Sequence, residues 1–265
     1  MKKVIFYTLI VILTIIIVGV IVVETSIIRV QLPHGAVLHV LPAPRDDHKH
    51  GAVILCPGGG YRYQEKWNEG YLWFPFFHSR GFAVAMLEYR LPNHNHQIPM
   101  TDGIEAVQLM RTRAGEWGFD KNDVGVMGFS AGGHLASSLM VNVRDSVRPD
   151  FGILFYPVIS MRKELAHKGS HDFLLGENAS EQLEKIYSNE LHVTDQTPPT
   201  YIAVSKDDEK VNPQNSIRFY DEMNAKRRPV MLHVYPSGGH GWGYKSSFPY
   251  HKQMLSDLEN WLCNR

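Results

Sequence analysis

Gly128-Phe129-Ser130-Ala131-Gly132 follows directly on the apolar run Val124-Gly125-Val126-Met127 and precedes a helix-forming stretch at 131–142. A serine raised on a sharp strand-to-helix turn needs residues without bulk two positions before and after it, because the backbone packs against itself there. Glycine satisfies both positions. The turn also sets Ser130 at a helix N-terminus, where free N–H groups and the positive dipole end favour an oxyanion. The sequence predicts a buried strand, a tight turn bearing a nucleophile, and a helix.

Two later strand-like runs end in groups that suit such a nucleophile. Residues 200–204 lead into Ser205-Lys206-Asp207-Asp208-Glu209, and residues 230–235 lead into Pro236-Ser237-Gly238-Gly239-His240-Gly241-Trp242. An acid and a histidine therefore each lie just past the carboxyl end of a strand, the side on which open α/β sheets carry their sites. His240 is the expected general base for Ser130, and one of Asp207 and Asp208 would hold its imidazole in the required tautomer. Upstream, the apolar run 52–56 ends in Pro57-Gly58-Gly59-Gly60-Tyr61. Glycines let the chain approach a tetrahedral intermediate closely, so the N–H groups of Gly59, Gly60 and Ala131 are expected to form an oxyanion hole. The run lacks the Gly-Lys-Ser/Thr ending of a nucleotide-binding loop.

With these motifs the chain resembles the α/β-hydrolase esterases of the acetyl-esterase and hormone-sensitive-lipase-like group, particularly the acetyl xylan esterase-like branch. The likeness is carried by Cys56-Pro-Gly-Gly-Gly-Tyr61, Tyr89-Arg-Leu-Pro92, Val126-Met-Gly-Phe-Ser-Ala-Gly-Gly-His134, Arg148-Pro-Asp-Phe151 with Tyr156-Pro-Val158, Asp207-Asp208 with Asn215-Ser216, and Gly239-His-Gly-Trp-Gly243. It covers residues 50–262. The resemblance implies a mostly parallel sheet flanked by helices, a Ser130–Asp208–His240 triad in that chain order, and a short acyl group, acetate above all, on a carbohydrate. It favours Asp208 over Asp207 because the acid of this group commonly lies three residues before a valine, here Val211. Pro57 stands where related loops carry histidine, and Asn212 where a proline often follows.

The expected elements are an opening antiparallel hairpin at 27–32 and 36–41, then strands at 52–56, 82–89, 124–128, 151–156, 200–205 and 230–235. Helices are expected at 102–115, 131–142, 213–226 and 250–262, with Thr101-Asp102 capping the first. Residues 157–199 interrupt this rhythm and form a candidate small cap over Ser130. Among the aromatics after the glycine loop (Tyr61, Tyr63, Trp67, Tyr71, Trp73), Tyr61 alone is expected to touch substrate. His134 is expected to pack or to hydrogen-bond structurally.

The N-terminus carries a separate expectation. Met1-Lys2-Lys3 precedes an apolar run at 4–23, which at about 1.5 Å per residue spans a hydrocarbon core of about 30 Å. No small-residue cleavage site follows at Val22-Val23-Glu24-Thr25-Ser26, so residues 1–24 are expected to be an uncleaved signal-anchor and 25–265 the catalytic domain. Lys2 and Lys3 would stay cytoplasmic, placing the domain on the outer, extracytoplasmic face, or secreted if the segment is cut.

Lys+Arg and Asp+Glu each number 27, and no basic stretch points to nucleic acid. His94-Asn95-His96 and His48-Lys49-His50 lack the surrounding carboxylates or cysteines of a metal site, so no metal and no organic cofactor is expected. Cys56 and Cys263 are expected to be unpaired and buried. Two rivals share these features. A prolyl-oligopeptidase-type peptidase would use the same triad, but that type usually carries a large N-terminal propeller, for which these residues leave no room. An inactive anchored binding protein would keep the fold without reacting at Ser130.

Overall fold

In the computed structural model, residues 27–45 and 50–265 are described. The expected signal-anchor at 1–24 lies outside the described residues, as do His48 and Lys49. Among the described residues no helix is long and apolar enough to cross a membrane.

Eight strands form one sheet: β1 (Ile28–Gln31), β2 (Val37–Leu41), β3 (His50–Cys56), β4 (Ala83–Glu88), β5 (Phe119–Phe129), β6 (Phe151–Phe155), β7 (Thr200–Ser205) and β8 (Val230–Tyr235). Their order is β1-β2-β4-β3-β5-β6-β7-β8. The opening hairpin pairs antiparallel, Ile28 opposite Val40 and Gln31 opposite Val37, and β2 runs antiparallel to β4. Every later pairing is parallel.

A parallel sheet must bury both faces, and its strands alternate accordingly. Ala52, Ile54 and Cys56 of β3, with Ala83, Ala85 and Leu87 of β4, enter one core. Val53 and Leu55, with Val84 and Met86, enter the other. The first core is closed by α2 (Gln97–Trp117), α3 (Ser130–Val141) and α6 (Gln214–Ala225), through residues such as Met110, Leu139 and Phe219. The second is closed by α1 (Phe74–His78) and α7 (His251–Asn264), through Phe74, Phe77, Leu258 and Trp261. The insert between β6 and β7 holds α4 (Lys168–Leu175) and α5 (Glu181–Ile186).

Two expectations about this frame are corrected. Thr101-Asp102 does not cap α2, which begins at Gln97. Pro99 falls within the first turn, where its missing N–H costs no helical bond. Asp102 is instead fully buried inside the helix, and its carboxylate accepts from the Arg90 backbone N–H at 2.7 Å and from the guanidinium Nε at 3.0 Å and Nη2 at 2.7 Å. A buried carboxylate so held is a structural ion pair joining the end of β4 to α2. Both cysteines are free, but only Cys56 is buried, where desolvation pushes its thiol up to about 12; Cys263 is exposed.

The register sets the stage for chemistry. Cys56 lies opposite Gly128, Phe129 opposite Phe155, and Ser205 opposite Tyr235. The glycine loop, the Ser130 turn, the Asp207-Asp208 loop and the His240 loop therefore leave the sheet at one edge of carboxyl ends, the crevice in which open α/β sheets place ligands.

Candidate active site

Ser130 follows the last residue of β5 and begins α3 with φ +51°, a left-handed conformation rare for a side-chain-bearing residue. The flanking glycines explain why the turn can exist. A Cβ on Gly132 would collide with the carbonyl oxygens of Cys56 and Pro57, and one on Gly128 would lie 2.6 Å from Ala136 Cβ. A Cβ on Gly58 would come within 2.7 Å of Phe129 O and 2.9 Å of Ser130 Cβ. Three glycines thus let the 57–60 loop press against the serine turn.

The structure brings Ser130, His240 and Asp208 into one hydrogen-bonded line. Ser130 Oγ lies 2.9 Å from His240 Nε2, and His240 Nδ1 lies 2.7 Å from Asp208 Oδ2. The other Asp208 oxygen accepts the backbone N–H groups of Lys210 and Val211, each at 3.0 Å. Because the buried carboxylate can only accept there, Nδ1 carries the proton and Nε2 is free to take one from the serine. Asp207 is placed differently. It accepts the N–H groups of Gly238 at 3.2 Å and Gly239 at 2.8 Å, and these bonds hold its carboxyl below the usual carboxylate range.

Gly59 and Gly60 carry positive φ values of +125° and +65°, and neither N–H donates to another described residue. The Ala131 N–H belongs to the first turn of α3, where an α-helix leaves its donors without an intrahelical acceptor. Ala131 follows the serine directly, and Gly59 and Gly60 follow Gly58, whose added Cβ would lie 2.9 Å from Ser130 Cβ.

Tyr61 does not stand where it was expected. It is 1% exposed, and its hydroxyl donates to His134 Nδ1 at 2.9 Å. His134 Nε2 in turn donates to the Tyr187 carbonyl at 2.8 Å. The ring belongs to the buried core, edge-on to Tyr89 and His134. Burial lowers His134 to about 4, so it is a neutral structural histidine. Tyr63 and Trp67 are the exposed aromatics of this segment, at 60% and 61%.

Three residues of the site were not singled out from sequence. Glu69 is buried and touches the glycine loop; Tyr156, at the end of β6, places its ring 4.8 Å from that of His240. His167, from the insert, lies against the loop on the open side: a Cβ on Gly60 would meet its Cε1 at 3.8 Å. Its Nδ1 lies 2.8 Å from Ser170 Oγ and accepts the Ser170 N–H at the start of α4 at 3.3 Å. Burial, followed by the neighbouring His240, keeps this imidazole below its ordinary pKa. No local pattern marked either Glu69, which stands in a stretch that also holds Arg62, Glu65 and Lys66, or His167.

His94 and His96 are engaged elsewhere. His94 Nδ1 donates to the Asp172 carbonyl at 2.8 Å, and His96 pairs with the Tyr187 hydroxyl. Among the described residues no group of three or more His, Cys, Asp or Glu is arranged to hold a metal ion.

A serine on a left-handed turn after the fifth strand, within this strand order, defines an α/β-hydrolase. The BD-FAE family model matches residues 38–223. The chain belongs to that family. It is 39% identical over 215 residues to an acetylxylan esterase of Xylanibacter ruminicola, covering 80% of this chain and 45% of that protein. It is 34% identical over 211 residues to endo-1,4-beta-xylanase B of Butyrivibrio fibrisolvens, covering 74% of this chain and 33% of that one. The chain thus spans less than half the length of these curated relatives. The solved acetyl ester-xyloside bifunctional hydrolase of Caldicellulosiruptor lactoaceticus superposes with a TM-score of 0.80 at 34% identity, covering 86% of this chain and 88% of that one.

Proposed function

We propose that this chain is a serine esterase that removes short acyl groups, chiefly acetyl, from carbohydrates such as acetylated xylo-oligosaccharides. The observation that carries the reading is the unbroken line Asp208–His240–Ser130. His240 takes the Ser130 proton as Oγ attacks the ester carbonyl. The N–H groups of Gly59, Gly60 and Ala131 receive the oxyanion, and Asp208 stabilises the imidazolium. His240 then protonates the departing sugar hydroxyl and activates a water that releases the acid from the serine ester. Neither a metal nor an organic cofactor takes part in this sequence.

The carbohydrate side of the reading is supported by the names of the relatives and by two features around the serine. Tyr63 and Trp67 expose aromatic faces on the segment after the oxyanion loop, and such faces suit the apolar side of a sugar ring. The insert 157–199 acts in this reading as a small cap, and His167 is the residue through which it meets the alcohol portion of the ester. In the same reading the apolar run 4–23 anchors the domain on the outer side of a membrane, where large polymeric substrates are met.

The test is acetate release from acetylated xylo-oligosaccharides by the domain from Glu24 onward, beside Ser130→Ala. Release lost in the variant supports the whole reading. Cleavage of 4-nitrophenyl acetate without release from the oligosaccharide keeps the mechanism and moves the substrate. Failure of the unmutated domain to react with a fluorophosphonate removes the enzyme reading altogether.

A further inference from the structure

Glu69 is a buried carboxylate that the proposed chemistry does not use. It sits on the segment between the glycine loop and α1, at 4% exposure. Its Oε2 accepts the Gly58 N–H at 2.8 Å, and its Oε1 accepts the Tyr156 hydroxyl at 2.8 Å. The Tyr156 oxygen accepts the Gly243 N–H at 2.8 Å. The donors run in one direction: Gly243 N–H to Tyr156, Tyr156 O–H to Glu69, and Gly58 N–H to the second oxygen. Both carboxylate oxygens are acceptors, the arrangement of the ionised group.

The ends of this chain are informative. Gly58 opens the oxyanion loop, and Gly243 closes the loop that carries His240 three residues earlier. The adjoining Asn68 doubles the link, its Nδ2 donating to the carbonyls of Gly241 and Trp242 at 3.3 Å and its Oδ1 accepting the Tyr244 N–H at 3.1 Å. The point a Cβ would occupy on Gly58 is 2.7 Å from Glu69 Oε2 and 2.9 Å from Ser130 Cβ, so the carboxylate lies immediately behind the serine turn. Tyr156, its partner, holds φ +38° at the end of β6 with its ring against His240.

We propose that Glu69 is a positioning residue that fixes the oxyanion loop and the His240 loop in register through Gly58, Tyr156 and Gly243, and that lends its negative charge to the imidazolium formed during acyl transfer. The inference rests on the esterase reading for its second half; the first half is a statement about loop geometry. Desolvation is the larger influence on the carboxyl and raises it, while the Tyr156 and Gly58 bonds draw it back. The other titratable groups packed about it are Tyr89 from the end of β4, Glu65 on its own segment and His240, which also meets Asp208 and His167.

The test compares Glu69→Gln, Tyr156→Phe and the double variant, each checked for folding by its melting transition. Glutamine keeps the shape but turns one acceptor into a donor facing Gly58 or Tyr156. With 4-nitrophenyl acetate, kcat is expected to fall roughly 10- to 100-fold in each single variant with KM little changed. The double variant is expected to be no worse than the poorer single one, since the two act as one unit. The acid limb of kcat/KM and the His240 imidazole titration, followed by NMR, move to lower pH in Glu69→Gln, because a charge that favoured the protonated ring is gone; in Tyr156→Phe neither moves down. Folded Glu69→Gln with an unaltered kcat and an unaltered His240 titration overturns the inference. If Glu69→Gln does not fold, kcat in Tyr156→Phe decides in the same way. The NMR titration needs no turnover, so a shift in protein that hydrolyses nothing would sink the esterase reading and leave the coupling between Glu69 and His240 standing.

Discussion

Asp208 Oδ2 lies 2.7 Å from His240 Nδ1, while its neighbour Asp207 turns to the other side of the chain and accepts the N–H groups of Gly238 and Gly239 on the same histidine loop. Two adjacent carboxylates thus serve one loop in different ways. Asp208 is buried and sets the tautomer of the ring; Asp207 is exposed and steadies the backbone that presents it. Asp208→Asn is therefore expected to lower kcat by about 10⁴-fold, the cost of presenting the wrong tautomer to the serine. Asp207→Asn should lose far less, because water can take over an exposed acceptor. Steady-state kinetics on 4-nitrophenyl acetate separates them, and equal losses would contradict this division of labour.

The glycine pattern around Ser130 makes a prediction about stability. A methyl group on Gly132 would strike the Cys56 and Pro57 carbonyls, which are main chain and cannot swing aside. Gly132→Ala is expected to cost about 1–3 kcal/mol of stability and to displace the oxyanion loop, lowering kcat as well. Gly115, on the exposed side of α2, has nothing within 4 Å of its added Cβ. Gly115→Ala should therefore stabilise the protein by about 0.5–1 kcal/mol through helix propensity alone. Denaturant midpoints of the two variants should move in opposite directions.

Much of this arrangement was legible in the sequence because it is written in backbone requirements. A glycine box between an apolar run and a helix can be recognised wherever it occurs, and the strands leading to Ser130 and Asp208 are apolar because the sheet buries both their faces there; the edge strand leading to His240 is half exposed but still reads as Val-Met-Leu-His-Val-Tyr. The choice between Asp207 and Asp208 was different in kind. Residue type does not reveal which of two neighbouring side chains turns inward, and that choice came from family likeness alone. Tyr61 misled because an aromatic beside a glycine loop suits both a ligand and a core, and what decides is its partner His134, 73 residues along the chain. Asp102 looked like a helix cap because its true partner, Arg90, is distant enough along the chain to escape a local pattern. Glu69 and His167 act through contacts between segments far apart in sequence, which no spacing rule encodes.

His134 links acidity to folding. Its folded pKa of about 4 stands against an ordinary value of 6.5, since burial disfavours the charged ring. The unfolded chain therefore binds the proton more readily across this window. Stability from this group is complete above about pH 6.5 and is lost as pH falls toward about 4, by about 3 kcal/mol in all at about 1.4 kcal/mol per unit. His134→Gln keeps a donor for the Tyr187 carbonyl and an acceptor for the Tyr61 hydroxyl but does not titrate. Denaturation at about pH 7.5 and about pH 5 should show a larger acid-induced loss in the unmutated protein than in the variant. Identical losses would mean that His134 titrates normally in the fold.

His167 offers the means to separate acyl chemistry from recognition of the alcohol. Its Nδ1 is engaged by Ser170 at the start of α4, Oγ at 2.8 Å and N–H at 3.3 Å, and its ring edge lies beside Gly60. Asparagine is a strong N-cap and should keep α4 in place while removing the Nε2 edge of the ring. In His167→Asn, KM for an acetylated xylo-oligosaccharide is expected to rise by roughly five- to tenfold, the worth of about one hydrogen bond. Hydrolysis of 4-nitrophenyl acetate, whose leaving group has no sugar hydroxyl to meet the imidazole, should be unchanged. Loss of both activities together would place His167 with the serine machinery, and loss of neither would leave the insert without a part in binding the sugar.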